Sequence, residues 1–314
     1  MAGKRLFRIK DTGLGYKVKK GAQPIINKDG SANVIYKNIP VSIDNLYAYL
    51  IDISWTRFFL LVGLGYVFVN SVFAILYLLI GIEQLGLDSV SVVSDFMNAF
   101  YFSAQTITTV GYGAISPSSM WSGLLSSFEA LIGLLSFSFI TGLLYGRFSK
   151  PKASVSFSDQ MIIRPFEGGK AIMFRLMNKR SSLMIEPEVS ATISKVNKKG
   201  DKLKREFFQM PLTLSKIHYL PAMWTLVHKI EEGTAFYGLS DKEILESKAE
   251  FYIMLKYFDE AYKQQLYQLH HYDLDDLEQN VQFDSSYIFD EQGFMEVDYD
   301  SLSTTFPMRE NSSE

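Results

Sequence analysis

Two long apolar runs stand out in an otherwise polar chain. The first, Phe58 to Ile82, is 25 residues without a charged side chain, which is long enough to cross a bilayer as a helix. The second covers residues 130–146 and extends further back if the single Glu129 is tolerated. The pattern therefore predicts two membrane-spanning helices, at residues 56–82 and 120–148.

Shorter helices are predicted beside these spans. Apolar residues at helical spacing over residues 43–55, with Asp44 available as an N-cap, predict an interfacial amphipathic helix that ends at Trp55. The alternative is that this segment continues the first span. Residues 95–107 form an aromatic helix that is too short to cross a membrane. Irregular backbone at membrane depth is tolerated only inside protein or along a water-filled path, so this helix and the loop after it predict a re-entrant segment beside a pore.

The composition changes after residue 150. Short β-prone runs separated by turn signals, such as Glu167-Gly-Gly-Lys, predict an antiparallel β-sandwich over residues 151–301. Residues 1–42 are basic, polar and rich in glycine, which predicts a flexible or weakly structured arm. Residues 302–314 are predicted to form a flexible tail.

The distribution of charge orients the chain and excludes several functions. Basic residues lie up to Arg57 and from Arg147 onward, with none between these two, which predicts that both termini are cytoplasmic. The chain has no Cys, so it has no thiolate metal site or Cys nucleophile. A net charge of −3 gives no footprint for nucleic acid. We find no nucleophile–base pair and no nucleotide motif, and therefore do not expect an enzyme.

The segment Thr109-Val-Gly-Tyr-Gly113 lies between the two predicted spans and directly after the short helix. Gly111 and Gly113 can adopt positive φ at little cost, so that successive carbonyl groups point toward one axis. The carbonyls of Thr109, Val110, Gly111 and Tyr112 would then replace the hydration oxygens of K⁺. Val110 and Tyr112 are expected to face outward and pack against the short helix. One chain supplies one strand of such a filter, so four chains are needed.

With this filter, the chain resembles the inward-rectifier potassium channel family, and specifically its prokaryotic members, from about residue 40 to residue 306. The similar segments include Asn45 to Phe58, Ala99 to Gly113 and Arg147 to Lys152. The resemblance implies a membrane α plus all-β protein: a two-helix potassium pore with a re-entrant pore helix, joined to a cytoplasmic immunoglobulin-like β-sandwich, as a homotetramer. It also implies passive K⁺ conduction, gated by the inner helix bundle and the cytoplasmic domain, without an organic cofactor. The alternative is a membrane-anchored, non-conducting regulatory or binding module.

The resemblance assigns roles along the second span. Phe137 aligns with the position where strong rectifiers have Asp, which predicts only weak block by polyamines or Mg²⁺. Tyr145 aligns with the bulky residue that closes the inner bundle crossing. Gly133 and Gly142 align with hinge positions, although close helix packing would explain either glycine equally well. The absence of the extracellular cysteines of eukaryotic relatives favours a bacterial inner membrane.

The resemblance also assigns residues near the filter and at the inner membrane surface. Glu129 aligns with a site behind the filter, where a structural role is favoured over ion contact. Gln105 replaces a Glu of most members, so that other hydrogen bonds must hold the filter rigid. A cytoplasmic basic cluster is expected to bind anionic lipid or phosphoinositide, with inhibition favoured, although orientation alone explains half of the pattern. The cluster comprises Arg57, Arg147, Lys150 and Lys152.

Overall fold

The computed structural model describes most of the chain and divides it into two compact units. The described residues are 8–9, 17–18, 23–38, 43–151, 153–180, 182–199, 202–220, 222–285 and 287–308. Asn38–Lys150 form a helical unit, and Met1–Lys37 together with Pro151–Glu314 form a β-sandwich unit. We describe each unit separately.

Four α-helices build the helical unit in the described residues. They are α1 (Ile43–Asp52), α2 (Trp55–Ile80), α3 (Val92–Ile107) and α4 (Met120–Ser149), with a 3₁₀ turn at Ile82–Leu85. Helices α2 and α4 are 26 and 30 residues long, with mean hydropathies of 2.2 and 1.7, and both are long and apolar enough to cross a membrane. Most of their side chains are uncovered within the chain, as expected of helices that meet lipid or other subunits.

Serine caps set the helix boundaries. Ser54 leaves the helical conformation, with φ −58° and ψ 152°, and accepts from the Arg57 N–H, so α1 is a separate helix rather than a continuation of α2. Ser91 accepts from the Ser94 N–H, which starts α3 three residues before the predicted boundary at 95. Ser119 caps α4 in the same way.

The three helices α2, α3 and α4 share one small core. Tyr77 of α2 contacts Phe102 of α3 edge to face, with 5.1 Å between ring centroids. Around this pair the buried residues of the core are Phe73, Ala74, Ile82, Leu85 and Ala99. The core fixes the slope of α3 against the long helices, and hence the position of the loop that follows α3.

The β-sandwich unit contains two main sheets. In the described residues its strands are β1 (Arg8–Ile9), β2 (Lys17–Val18), β3 (Val155–Phe157), β4 (Met161–Phe166), β5 (Gly169–Asn178), β6 (Met184–Lys199), β7 (Lys202–Met210), β8 (Tyr219–Leu220), β9 (Met223–Ile230), β10 (Glu250–Asp259), β11 (Gln264–Asp273), β12 (Leu277–Gln279), β13 (Val281–Phe283), β14 (Ile288–Phe289), β15 (Met295–Glu296) and β16 (Thr305–Pro307). A short helix α5 (Asp241–Glu246) precedes β10.

One sheet has the order β1-β7-β6-β10-β11, with β2 also on β7 and β8 on β6. The other has the order β12-β4-β5-β3, with β9 on β5. All pairs are antiparallel except β12 with β4. Alternate side chains fill the space between the sheets, and the largest buried ones there include Phe174, Phe236, Phe251, Tyr257 and Tyr272. The prediction of membrane helices plus an all-β unit is therefore confirmed.

Two terminal segments differ from their predictions. Strand β1 pairs with β7, in the register Arg8 with Phe208, and Gly30 packs so closely that an added Cβ would lie 2.3 Å from the Leu269 carbonyl oxygen. The described parts of residues 1–42 up to residue 33 therefore lie on the sandwich, which contradicts a flexible arm, while the two-residue strands agree with the alternative of a weakly structured one. Strand β16 likewise pairs with β13, so residues 302–308 are not a free tail. These strands pair through their backbone groups, so the polar composition of the two segments gives no sign of the pairing.

Candidate functional site

The segment after α3 has an alternating backbone. Thr109, Gly111 and Gly113 have φ values of +59°, +55° and +81°, all in the left-handed region. The two glycines are where the sequence predicts positive φ. Thr109 was not predicted, because a β-branched residue pays a steric penalty in this conformation and no local signal announces it.

Gln105 of α3 holds this segment with its backbone and its side chain. Val110 N and Gly111 N donate to the Gln105 carbonyl oxygen at 2.9 and 3.3 Å. Tyr112 N donates to Gln105 Oε1 at 3.1 Å. These contacts link the segment to α3 although position 105 carries no carboxylate.

The same hydrogen bonds determine where the carbonyls point. In a trans peptide the N–H of one residue and the C=O of the preceding residue lie on opposite sides of the plane. Since the N–H groups of Val110, Gly111 and Tyr112 all point toward α3, the carbonyls of Thr109, Val110 and Gly111 point away from it. One face of the segment therefore presents a row of oxygens, which is the arrangement that coordinates a dehydrated cation.

The side chains of the segment are largely uncovered in one chain. Val110 is 52% exposed and Tyr112 is 84% exposed, so one chain alone does not cover the two side chains that are expected to pack against the short helix. They border an open cavity of about 460 Å³. Its other lining residues are Tyr66, Tyr101, Ala104, Gln105, Thr108, Ala114 and Ile115. Because the lining is mostly apolar, a single chain exposes an apolar surface at this cavity.

Glu129 lies at the junction of α2, α3 and α4 and is fully buried. Its Oε2 accepts from the Tyr77 hydroxyl at 2.6 Å, and its Oε1 is in short contact with Ser103 Oγ. Ser103 Oγ also lies 2.9 Å from Asn70 Oδ1. Sequence reasoning identified Glu129 but missed Asn70, Tyr77 and Ser103. The only sign of these residues in the sequence is that each places a polar group inside an apolar run.

The two glycines of α4 differ in their surroundings. A Cβ on Gly133 would lie 2.4 Å from the Ile107 carbonyl oxygen, so this glycine allows α4 to pack against the end of α3. Gly142 has no neighbour within 4 Å of the corresponding position among the described residues. Phe137 and Tyr145, on the same helix, are 72% and 75% exposed.

Arg147 is buried and binds the end of α1 rather than facing the membrane surface. Its guanidinium stacks on the rings of Trp55 and Phe58, at 4.5 and 4.7 Å from their centroids. It donates at 2.5, 3.1 and 2.6 Å to three carbonyl oxygens, those of Leu50, Ile51 and Ile53. The prediction that Arg147 binds a lipid headgroup is therefore wrong in this structure, because the last carbonyls of α1 already occupy the guanidinium.

The rest of the predicted basic cluster is divided. Lys150 forms an ion pair with Asp52, the last residue of α1. Arg57 is exposed near the start of α2. Lys152 lies outside the described residues.

The sandwich histidines lie among aromatic and backbone groups. His270 stacks on Phe157 with 4.5 Å between ring centroids, and burial lowers the pKa of His270 to about 4. His228 Nδ1 lies 2.7 Å from the Pro211 carbonyl oxygen, and burial also lowers the pKa of His228. Both side chains are therefore neutral at pH 7, with His228 in the core and His270 half-buried.

A carbonyl-lined strand between two membrane-length helices defines the chain as the pore subunit of an ion channel. Residues 64–150 match the family model described as "Ion channel", and residues 155–313 match "Inward rectifier potassium channel C-terminal domain". The chain belongs to the inward-rectifier potassium channel family, whose members conduct ions and are not enzymes.

Individual relatives agree with this assignment. The chain is 33% identical over 259 residues to the inward rectifier potassium channel Kirbac3.1 of Paramagnetospirillum magnetotacticum, a match that covers 81% of this chain and 85% of the relative. It is 25% identical over 313 residues to the G protein-activated inward rectifier potassium channel 3 of Mus musculus and of Rattus norvegicus. Those matches cover 92% of this chain and 79% of each relative.

Proposed function

We propose that four copies of this chain form a K⁺-selective pore, with the carbonyls of Thr109, Val110, Gly111 and Tyr112 as the ion ligands. The observation that carries the proposal is the set of three N–H groups bound to Gln105, which directs the preceding carbonyls to the opposite side. The positive φ of Gly111 and Gly113 supports the proposal as well, because consecutive carbonyls point the same way when the backbone alternates between left-handed and ordinary conformations.

The open side of the filter supports the tetramer. Tyr112 and Val110 border an apolar cavity that one chain leaves uncovered. A neighbouring copy would cover it and brace the ring from outside, and fourfold symmetry would complete the set of oxygens around each ion.

The inner half of α4 supplies the gate and sets rectification. Tyr145 is exposed and bulky, and a ring of four such side chains closes a pore by excluding water. Gly142, with free space around it, is the hinge in this proposal, whereas Gly133 is a packing glycine. An aromatic Phe137 offers no carboxylate to polyamines or Mg²⁺, so their block is weak.

The proposed location is a bacterial inner membrane, with both termini in the cytoplasm. An anionic lipid or phosphoinositide headgroup would be bound by Arg57 together with the basic residues that follow α4, Lys150 and Lys152, and would inhibit the channel. Arg147 is excluded from this headgroup site because its guanidinium binds α1.

Uptake of ⁸⁶Rb⁺ into liposomes that contain the purified tetramer tests the proposal. We expect uptake that barium blocks and that a K⁺ gradient drives. The matched control is Tyr112→Ala in the same tetramer, which leaves the filter without its outer brace and should lower Rb⁺ selectivity over Na⁺. A verified wild-type tetramer without barium-sensitive uptake would contradict the channel and favour the non-conducting module.

A further inference from the structure

We propose that Glu129 is present as a neutral carboxylic acid that donates its proton to Ser103, and that this hydrogen bond positions the pore helix α3. The protonation state follows from the contacts of four buried side chains. The consequence for conduction rests on the proposed channel function.

The network is closed to solvent. Asn70, Ser103 and Glu129 are fully buried, and Tyr77 is nearly so. Each polar atom in such a site needs a partner of the opposite kind, because an unpaired buried group has lost its hydrogen bonds to water without replacing them. The positions of the protons can therefore be found by counting donors and acceptors.

The orientation of the Asn70 amide is the starting point. Asn70 Nδ2 donates to the Tyr66 carbonyl oxygen at 2.7 Å. Turning the amide over would place Oδ1 against that carbonyl, with two acceptors facing each other. Asn70 Oδ1 is therefore the atom that faces Ser103 Oγ, and this atom can only accept.

Ser103 has one hydroxyl proton and two oxygen neighbours. Asn70 Oδ1 lies 2.9 Å from Ser103 Oγ, and Glu129 Oε1 lies on its other side. If Glu129 were ionised, both neighbours would be acceptors, and one of them would face a serine oxygen without a hydrogen between. If Glu129 is the neutral acid, its O–H donates to Ser103 and the Ser103 hydroxyl donates to Asn70.

The remaining carboxyl oxygen fits the same assignment. The Tyr77 hydroxyl donates to Glu129 Oε2 at 2.6 Å, which a neutral acid accepts through its carbonyl oxygen. Over the described residues of α2, α3 and α4 the basic side chains are Arg57 and Arg147, near the cytoplasmic ends of α2 and α4, and Arg147 is bound to α1. An ionised Glu129 would thus be a buried charge at membrane depth without a cation.

This proton order links Glu129 to the filter. The chain of donors runs from Glu129 to Ser103, then to Asn70, then to the Tyr66 carbonyl, and joins α4 to α3 and to α2. Ser103 stands two residues before Gln105, whose carbonyl and side chain hold three filter N–H groups. Glu129 is therefore a positioning residue, which acts on the ion through Ser103 and Gln105 rather than by contact.

Infrared spectroscopy of the tetramer in liposomes in D₂O at pH 7 tests the protonation directly. We expect a carboxylic-acid C=O band that shifts when the protein is made with ¹³C-carboxyl glutamate and that disappears in Glu129→Gln. Asp95→Asn is the matched control, because Asp95 accepts from the Ser89 hydroxyl and the Val90 N–H and faces donors only. This variant should leave the band unchanged.

Uptake of ⁸⁶Rb⁺ by the same samples tests the positioning role. Gln at position 129 offers an N–H to Ser103 and an oxygen to Tyr77, so Glu129→Gln should conduct within about twofold of the wild type. Glu129→Leu removes both groups and should reduce barium-sensitive uptake by at least about tenfold, because a tenfold effect already corresponds to the loss of one of the two buried hydrogen bonds.

A wild-type spectrum without a glutamic-acid band would overturn the inference even where uptake is normal, and the channel proposal would stand. The ¹³C measurement needs no substitution, so the absence of a glutamic-acid band overturns the inference even if Glu129→Gln fails to fold, and a band that is present is then assigned with Glu129→Leu. A band in a tetramer that does not take up Rb⁺ would support the protonation and contradict the channel proposal. Equal uptake by Glu129→Leu and Glu129→Gln would overturn the positioning role.

Discussion

At the scale of single residues, the filter depends on Gln105 and on a strained Thr109. A non-glycine residue in the left-handed region costs about 1–2 kcal/mol, so surrounding contacts must hold Thr109 there. The nearest such contacts are the Thr109 N–H to the Thr106 carbonyl at 3.1 Å and the bonds of the next residues to Gln105. We therefore expect selectivity in this chain to depend on the last turn of α3.

Replacing the Gln105 side chain should loosen the filter. Gln105→Ala removes the acceptor of the Tyr112 N–H, a loss of about 1 kcal/mol, and should lower the K⁺ over Na⁺ permeability ratio about fivefold. The ratio is measured by bi-ionic reversal potentials. Gln105→Glu keeps an acceptor oxygen and serves as the control, which should retain selectivity. Equal selectivity in the two variants would contradict the role of this hydrogen bond.

His270 should make the stability of the folded chain depend on pH. The pKa of His270 is lowered to about 4, against about 6.5 in an unfolded chain, so between these values the unfolded state binds more protons. The free energy of unfolding should therefore fall as the pH falls, by up to about 2 kcal/mol from pH 7 to pH 5. Denaturant unfolding of the detergent-solubilised tetramer measures this slope. His270→Gln should flatten it, and an unchanged slope would assign the effect to other groups.

At the scale of elements, α4 is positioned by contacts at its two halves. Gly133 brings its middle against the end of α3, and Arg147 fastens its last turn to α1 and to the first turn of α2. Between these two contacts lies Gly142, where the helix has room to bend.

The two glycines give a matched pair of substitutions. Gly133→Ala places a methyl group against the Ile107 backbone, which cannot yield like a flexible side chain, and should lower stability by at least about 2 kcal/mol. Gly142→Ala meets open space in the chain and should be nearly neutral for stability while it stiffens the helix. Thermal unfolding of the solubilised tetramer compares them. A larger loss at Gly142 would contradict the assignment of packing and hinge.

Loss of the Arg147 guanidinium should release α1. Arg147→Leu leaves three carbonyls at the end of α1 without their donor, a cost of about 3 kcal/mol. Hydrogen exchange of the amides in Ile43–Asp52 should then become faster, as measured by mass spectrometry. Arg57→Leu removes an exposed charge close by and should leave the exchange unchanged. Protection that survives Arg147→Leu would show that packing alone holds α1.

At the scale of the whole molecule, features with a local signal in the sequence can be predicted, whereas features that depend on a contact with a distant residue are missed. Length, hydropathy and flanking charge locate α2 and α4, and glycine spacing locates Gly111 and Gly113, because these signals are local. Thr109, the partners of Glu129 and the place of Arg147 depend on atoms far away in sequence. From its sequence position alone, a basic residue after a membrane span can bind either a lipid headgroup or the carbonyls of a helix terminus. The structure shows that Arg147 binds the carbonyls at the end of α1.

The strands β1 and β2 also protect the sandwich from other copies of itself. Both pair with β7, the outer long strand of the larger sheet, and so occupy backbone groups that would otherwise remain free. A free, long edge strand is a template for pairing with another chain and for fibre growth. Strands β1 and β2 thus cover part of an edge that other chains could otherwise pair with, and we expect a shortened chain that begins after Val18 to aggregate more readily during synthesis and assembly.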